Sequence, residues 1–188
     1  MHIPKKGLRA LGIAESYSGR CHSTLCGLVM RKDLQIDGCA FAAVTVGGTD
    51  ATDAVRAIIR DLNRQDINVI MLSGSVIAWF NVIDPDAVFY ETGIPVICVT
   101  YEESEGLEAD LRYHFPHDEE RLAAYRKLGS RTPFSLNEEL TVYLRCRGIG
   151  IADAQKLVTA FTCAGKIPEP LRVARLCARA AHRSAASP

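Results

Sequence analysis

The sequence lacks the features that mark membrane, secreted and repetitive proteins. It has no run of about eighteen or more uncharged apolar residues, so it predicts no membrane-spanning helix. The first residues lead into a mixed segment rather than the apolar stretch of a signal peptide, and we expect a cytoplasmic protein. The seven cysteines are an odd number without paired spacing, so we expect no disulfide framework and mostly buried thiols.

The formal net charge is zero, because 22 basic residues balance 22 acidic ones. The two signs are nevertheless separated along the chain. Residues 102–120 contain eight acids and one arginine, whereas residues 141–188 contain eight lysines and arginines and two acids. A neutral chain can therefore carry a local basic surface, and nucleic acid stays among its candidate partners.

Length and composition predict one domain covering residues 1–188, since this length with 48% hydrophobic residues is enough for one sizeable core. Three strands come first. A tight connection at residues 31–33 makes the second and third strands an antiparallel hairpin. The three strands are predicted at residues 11–15, 25–31 and 36–46.

The middle of the chain then alternates helices with strands. Apolar residues recur at helical spacing over residues 50–64, and a nearly continuous apolar strand follows at 67–73. A short helix at 87–91 leads to another buried strand at 94–101. This order predicts a ribonuclease H-like mixed sheet, in which an antiparallel meander of three strands precedes parallel strands, with helices on both faces. The C-terminal part is predicted to be mostly helical, near residues 105–115, 119–128, 153–163 and 169–183, with an extended segment at 140–147.

Two strand ends define the candidate site. If the first and fourth strands are parallel neighbours, Glu15 and Ser73 end them at the edge where open sheets bind ligands, and we expect both to face one cleft. Carboxylates there would hold Mg²⁺ or Mn²⁺, which prepares water for phosphodiester hydrolysis. Asp53, in the first turn of the next helix, is the second candidate metal ligand. Alternatively, Asp53 completes a capping box with Asp50 as N-cap.

Several neighbouring residues have two interpretations. Glu102 and Glu103 follow the fifth strand and either replace the missing acid or remain solvated at the start of a helix. Trp79 and Phe80 belong either to the core or an interface, or else stack on a nucleic-acid base.

The last predicted helix has a basic face opposite its apolar one. Such a stripe suits contacts with backbone phosphates, and it also suits plain solvation or pairing with the acidic segment. The candidate nucleic-acid-binding residues of this stripe are Arg172, Arg175, Arg179 and Arg183.

Five segments carry a resemblance to one family that extends over nearly the whole chain. They are residues 11–16, 44–53, 67–84, 92–107 and 167–175. The chain is similar in them to the archaeal endonuclease V-like family, long catalogued as a domain of unknown function and also labelled deoxyuridine endonuclease. Its distant relative endonuclease V cuts DNA or RNA near deaminated bases with magnesium. The resemblance therefore implies a nuclease frame.

The resemblance also implies roles for the site residues. Glu15 stands where endonuclease V has its first-strand aspartate, Asp53 falls close to its glutamate, and Ser73 replaces an aspartate. Two functions follow. The first is a Mg²⁺- or Mn²⁺-dependent endonuclease acting on deoxyuridine- or deoxyinosine-containing DNA or RNA, with Glu15, Asp53 and Ser73 as catalytic residues. The second is a non-catalytic nucleic-acid-binding or regulatory protein that keeps the nuclease frame.

Overall fold

The computed structural model describes residues 7–17 and 21–186, so the first residues, considered above for a signal peptide, lie outside it. A seven-stranded mixed sheet forms its centre, and a separate two-stranded hairpin lies beside it. The strands are β1 (Arg9–Ser16), β2 (His22–Arg31), β3 (Ile36–Thr45), β4 (Val69–Ser73), β5 (Val76–Ile77), β6 (Asn81–Val82), β7 (Val96–Thr100), β8 (Thr132–Ser135) and β9 (Thr141–Arg147).

The order of strands in the large sheet is β3, β2, β1, β4, β7, β9, β8. The first three strands pair antiparallel, as the predicted meander requires. β4 pairs in parallel with β1 on one side and with β7 on the other, and β9 and β8 continue the sheet antiparallel. The carboxyl ends of β1, β4 and β7 therefore meet at one edge of the sheet, at Ser16, Ser73 and Thr100, which we call the strand-end edge.

The described part of the chain forms six helices. They are α1 (Ala51–Leu62), α2 (Pro85–Thr92), α3 (Glu108–His114), α4 (Glu119–Lys127), α5 (Ile151–Ala160) and α6 (Glu169–Ala186). α1 and α2 pack on one face, and α5 and α6 pack on the other, as predicted. The pair α3 and α4 lies at the strand-end edge, where it reaches the loop after β3.

Burial explains why β4 is the central strand. Ile70 and Leu72 belong to the apolar cluster with α1, whereas Val69 and Met71 belong to the cluster with α5. Because helices cover both faces, the strand is apolar at successive positions instead of alternating with polar residues. The sequence pattern predicted this strand correctly.

Two glycines allow helices to approach the sheet closely. A β-carbon at Gly12 of β1 would overlap the backbone of Pro170 at the start of α6, and one at Gly27 of β2 would overlap the side chain of Ile58 in α1. The sheet is therefore held tightly from both faces at two neighbouring strands that each have one end at the strand-end edge.

Other expectations are corrected. β5, β6 and β8 carry no periodic signal and were not predicted, and α5 begins at Ile151 rather than Asp153. The expectation that most cysteines are buried is wrong, because only Cys26 and Cys98 are buried among the described residues.

None of the described helices combines the length and the apolar character needed to cross a bilayer.

Candidate functional site

Glu15 and Ser73 point to opposite faces of the sheet, which corrects the expectation that they share one cleft. Side chains alternate along a strand, so Glu15 falls on the same face as Leu11 and Ile13, the face that α1 covers. Ser73 falls on the face of Val69 and Met71, which α5 and α6 cover. The β1–β4 register pairs Ile13 with Leu72, so the residue of β1 that shares a face with Ser73 is Ala14.

The carboxylate of Glu15 accepts hydrogen bonds from the protein. The backbone N–H of Ala78 donates to both carboxylate oxygens at 3.0 Å, and the Ser23 hydroxyl donates to Oε2 at 2.9 Å. Glu15 thereby links the end of β1 to β2 and to the turn between β5 and β6.

That turn has an unusual backbone. Three successive residues other than glycine, Ala78, Trp79 and Phe80, have φ angles of 42°, 58° and 62°. Each left-handed residue costs about 1–2 kcal/mol, so contacts around the turn must hold it. Besides Glu15, the N–H of Gly47 donates to the Ala78 carbonyl at 2.8 Å, and Arg121 donates to the Phe80 carbonyl at 2.8 Å.

The result is a fixed aromatic ring at the surface. Trp79 is 45% exposed and is therefore not a core residue. Its ring lies edge-on to Phe80 and to His114 of α3, with centroids 5.2 and 4.8 Å apart. Phe80 packs edge-on against Phe115. A constrained, half-exposed indole of this kind can stack on a planar ligand.

Asp50 does not cap α1 with its side chain. Its carboxylate accepts hydrogen bonds from the backbone and hydroxyl of Thr45 and from the amide of Asn81, while Asn81 Oδ1 accepts the N–H of Ala51. Burial acts to raise the pKa of Asp50, but the hydrogen bonds from Thr45 and Asn81 outweigh it and leave that pKa below the usual range. Asn81 thus takes over the capping that the sequence assigned to Asp50.

Asp53 lies apart from Glu15. Its side chain is 72% exposed and forms an ion pair with Arg56, 2.9 Å away, on the next turn of α1. In the part of the chain that the structure describes, no hydrogen bond or ion pair joins Asp53 to Glu15 or to Ser73. Asp53 is thus held by Arg56 on its own helix, and its membership in a set with Glu15 and Ser73 stays a prediction.

The residues at the strand-end edge do not fit a divalent metal. Mg²⁺ needs several oxygen ligands, but the Ser73 hydroxyl contacts a cation, and Glu15 lies on the opposite face of the sheet from it. Within residues 7–17 and 21–186, no group of three or more His, Cys, Asp or Glu side chains is placed to hold an ion. Glu102 does not replace the missing acid, because its side chain is 85% exposed and pairs with Lys166 at 3.0 Å.

Ser73 instead lies in a positively charged cleft at the ends of β4 and β7. Arg175 of α6 donates a hydrogen bond to the Ser73 hydroxyl at 3.1 Å, and its guanidinium lies 6.0 Å from the ring centroid of Tyr101. Arg131 and Arg145 line the same cleft, whose volume is about 480 Å³. We call it the arginine cleft, defined by Ser73, Tyr101, Arg131, Arg145 and Arg175.

Sequence analysis singled out Ser73 and Arg175 but not the arginine cleft that they line. Arg145 was counted only as part of the basic C-terminal region, and Arg131 was not singled out. Burial lowers the pKa of Arg145, and the positive charges of Arg131 and Arg147 act in the same direction. Burial raises the pKa of Tyr101, against the influence of Ser73 and the charge of Arg175. The cleft therefore concentrates positive charge in a partly desolvated space.

The four arginines of α6 do not form one uniform stripe. Arg172 pairs with Glu169 at 2.6 Å, and Arg175 turns into the arginine cleft. Arg179 and Arg183 are exposed further along the helix. The opposite face packs on β1 and β2 through Ala174 and Ala178, as its apolar pattern predicted.

The fold defines the class of this protein. An antiparallel meander, parallel strands and helices on both faces make a ribonuclease H-like α/β architecture. Endonuclease V of Ciona intestinalis, solved with inosine-containing DNA, has this fold. It superposes with a TM-score of 0.64 at 15% identity, covering 95% of this chain and 87% of that one.

The family follows from the sequence match. The model of the family described as endonuclease dU matches residues 6–182, and the chain belongs to that family. A UPF0215 protein of Pyrobaculum calidifontis is 39% identical over 170 residues, or 89% of this chain and 93% of the relative. A protein of unknown function from Archaeoglobus fulgidus superposes with a TM-score of 0.81 at 28% identity, covering 93% and 98% of the two chains.

Proposed function

We propose that this protein binds nucleic acid containing deaminated bases, deoxyuridine or deoxyinosine, at the strand-end edge, without a metal ion held between β1 and β4. The observation that carries the proposal is the contact of Arg175 with Ser73. A guanidinium beside the strand-four hydroxyl repels a divalent cation and attracts a phosphate. The proposal corresponds to the non-catalytic alternative considered from the sequence.

Two further features support binding of a strand. Arg179 is exposed on the same helix as Arg175, so both can contact successive phosphates of a backbone. Trp79 offers a half-exposed ring for an unstacked base, and base stacking on an aromatic side chain contributes about 1–3 kcal/mol. Support for deaminated bases comes from the description of the family and from the inosine-containing DNA bound to the Ciona protein.

The second candidate is a Mg²⁺- or Mn²⁺-dependent endonuclease. Membership in a family described as endonuclease dU favours it, and so does the retained carboxylate of Glu15. Glu15 can hold a metal ion while it keeps the hydrogen bonds from Ala78 and Ser23, because a carboxylate has about four lone-pair sites and ligating carboxylates are commonly hydrogen-bonded.

One experiment separates the two candidates. Labelled strands that differ only in deoxyuridine or thymidine at one position are titrated with protein, once in EDTA and once with Mg²⁺ or Mn²⁺, and the products are resolved on a denaturing gel. RNA containing inosine serves as a further arm. We expect tighter binding of the deoxyuridine strand in EDTA, no cleavage, and about tenfold weaker binding by Arg175→Ala.

Either of two results overturns the proposal. Absence of strand binding in EDTA removes it altogether. Cleavage that needs the metal ion and disappears in Glu15→Gln establishes the endonuclease instead. The variant Lys156→Ala, on α5 and paired with Asp153, is the control for nonspecific loss of charge.

A further inference from the structure

The arginine cleft holds more positive charge than a contact with one backbone phosphate requires. In the part of the chain that the structure describes, none of its arginines, Arg131, Arg145 and Arg175, forms an ion pair with a carboxylate. Other arginines that pack against the body of the protein do, for example Arg121 with Asp118 and Arg147 with Asp86. Uncompensated guanidinium groups brought together destabilise one another until an anion neutralises them.

The protein fixes the position of these groups without using all their donors. Arg145 donates through Nε to the Gly129 carbonyl at 3.0 Å, and Arg175 donates through one nitrogen to Ser73. A guanidinium has five N–H donors, so most of those of Arg145 and Arg175 remain available. Arg131 is held more completely, by the carbonyls of Glu102 and Ser104.

Among the described residues that line the cleft, no carboxylate neutralises it. The acidic side chain among its lining residues is Glu102, and its carboxylate is turned to Lys166. Arg145 and Arg131 also lie close enough for the charge of one to affect the pKa of the other. The field in the cleft therefore favours an anion that carries more than one negative charge.

A hydroxyl without an acceptor lies beside the same arginines. Tyr101 Oη is buried and has no hydrogen-bond partner of good geometry among the described residues, although the Ser73 hydroxyl lies close enough to act on its pKa and Arg175 lies 6.0 Å from its ring centroid. Buried polar groups are nearly always hydrogen-bonded, so an unpaired donor at a positively charged site points to an absent acceptor.

We propose that the arginine cleft binds a phosphomonoester, the terminal phosphate of a nucleic-acid strand or of a nucleotide, and the case of the strand rests on the function proposed above. A phosphodiester carries one negative charge, whereas a phosphomonoester carries about 1.5 to 2 at pH 7. Three guanidinium groups and a hydroxyl match the larger charge and its additional oxygens. The volume of about 480 Å³ falls in the range of small-molecule sites.

The test compares strands of identical sequence that end in a 5′-phosphate, a 3′-phosphate or only hydroxyl groups, titrated in EDTA by fluorescence polarisation. We expect one of the two phosphorylated strands to bind about tenfold more tightly than the hydroxyl strand. In Arg145→Ala this ratio should fall to about one, whereas Arg172→Ala, which removes an arginine paired with Glu169, should keep it.

A competition assay uses only the wild-type protein, so its result does not depend on whether a variant folds. Deoxyuridine monophosphate should displace the phosphorylated strand, and deoxyuridine should not. Displacement by inorganic phosphate at the same concentration would show that the site recognises the phosphate group alone.

The outcomes separate this inference from the proposed function. If no strand binds, the proposed function fails. If all three strands bind equally and deoxyuridine monophosphate does not compete, strand binding stands and the phosphomonoester site is overturned.

Discussion

At the residue scale, Glu15 serves as the anchor of the turn that carries Trp79. Replacing it with alanine removes the acceptor of the Ala78 N–H and of the Ser23 hydroxyl, both of which are shielded from water. We expect Glu15→Ala to lower the free energy of unfolding by about 1–3 kcal/mol. Trp79 is the only tryptophan of the chain, so its emission should shift to longer wavelength as the turn loosens.

Asp53→Ala is the matched control for this prediction. Its carboxylate is exposed and, among the described residues, pairs only with Arg56 on its own helix, so the stability should change by less than about 0.5 kcal/mol and the tryptophan emission should stay constant. Equal effects of the two variants would contradict the structural role of Glu15.

Asp50 gives a prediction for acid unfolding. Its pKa is lowered in the folded protein, so its charged form stabilises the fold at pH values above the ordinary value of 3.8, and this contribution is lost as the pH falls through the folded pKa. In urea unfolding, wild type should exceed Asp50→Asn in stability at pH 7, and the gap should narrow below pH 3.8. A gap that stays constant with pH would contradict the hydrogen-bonded carboxylate.

At the scale of elements, the contact between β1 and α6 depends on the absence of a side chain at Gly12. Gly12→Ala would force the start of α6 away from the sheet, because the added methyl group overlaps the backbone of Pro170. We expect a loss of about 1–3 kcal/mol. Gly38→Ala in β3 is the control, since its methyl group meets only side-chain atoms at 3.8 Å. Chemical denaturation of both variants checks the difference, and similar losses would disprove tight packing at Gly12.

The sequence predicted the elements better than it predicted the site. β4 was recognisable because its unbroken apolar run is typical of a strand covered on both faces. Whether Glu15 and Ser73 lie on the same face of the sheet depends on the β1–β4 register, because a shift of one residue moves every side chain of a strand to the other face. The sequence contains no direct signal for that register. β8 was missed because it is a short edge strand of four residues that includes Pro133.

At the scale of the whole molecule, the acidic and basic regions of the chain largely remain separate. Asp118 and Glu108 of the acidic segment pair with arginines of the same α3–α4 unit, and Glu102 pairs with Lys166. Among the described residues, neither Arg175 nor Arg179 pairs with this segment. Pairing of the basic helix face with the acidic segment, one of the interpretations of the sequence, is therefore not seen for these two arginines, and Arg172 pairs with Glu169 of its own helix instead.

This separation predicts how nucleic-acid binding depends on salt. Each phosphate neutralised on a single strand contributes about 0.7 to the slope of log affinity against log salt, because bound counterions are released. Arg175→Ala combined with Arg179→Ala should therefore reduce the slope by about 1.4, whereas Lys156→Ala, whose charge is already paired with Asp153, should leave it nearly unchanged. Titrations at several salt concentrations measure this slope. An unchanged slope in the double variant would place the strand elsewhere on the molecule, because affinity lost without counterion release does not come from phosphate contacts.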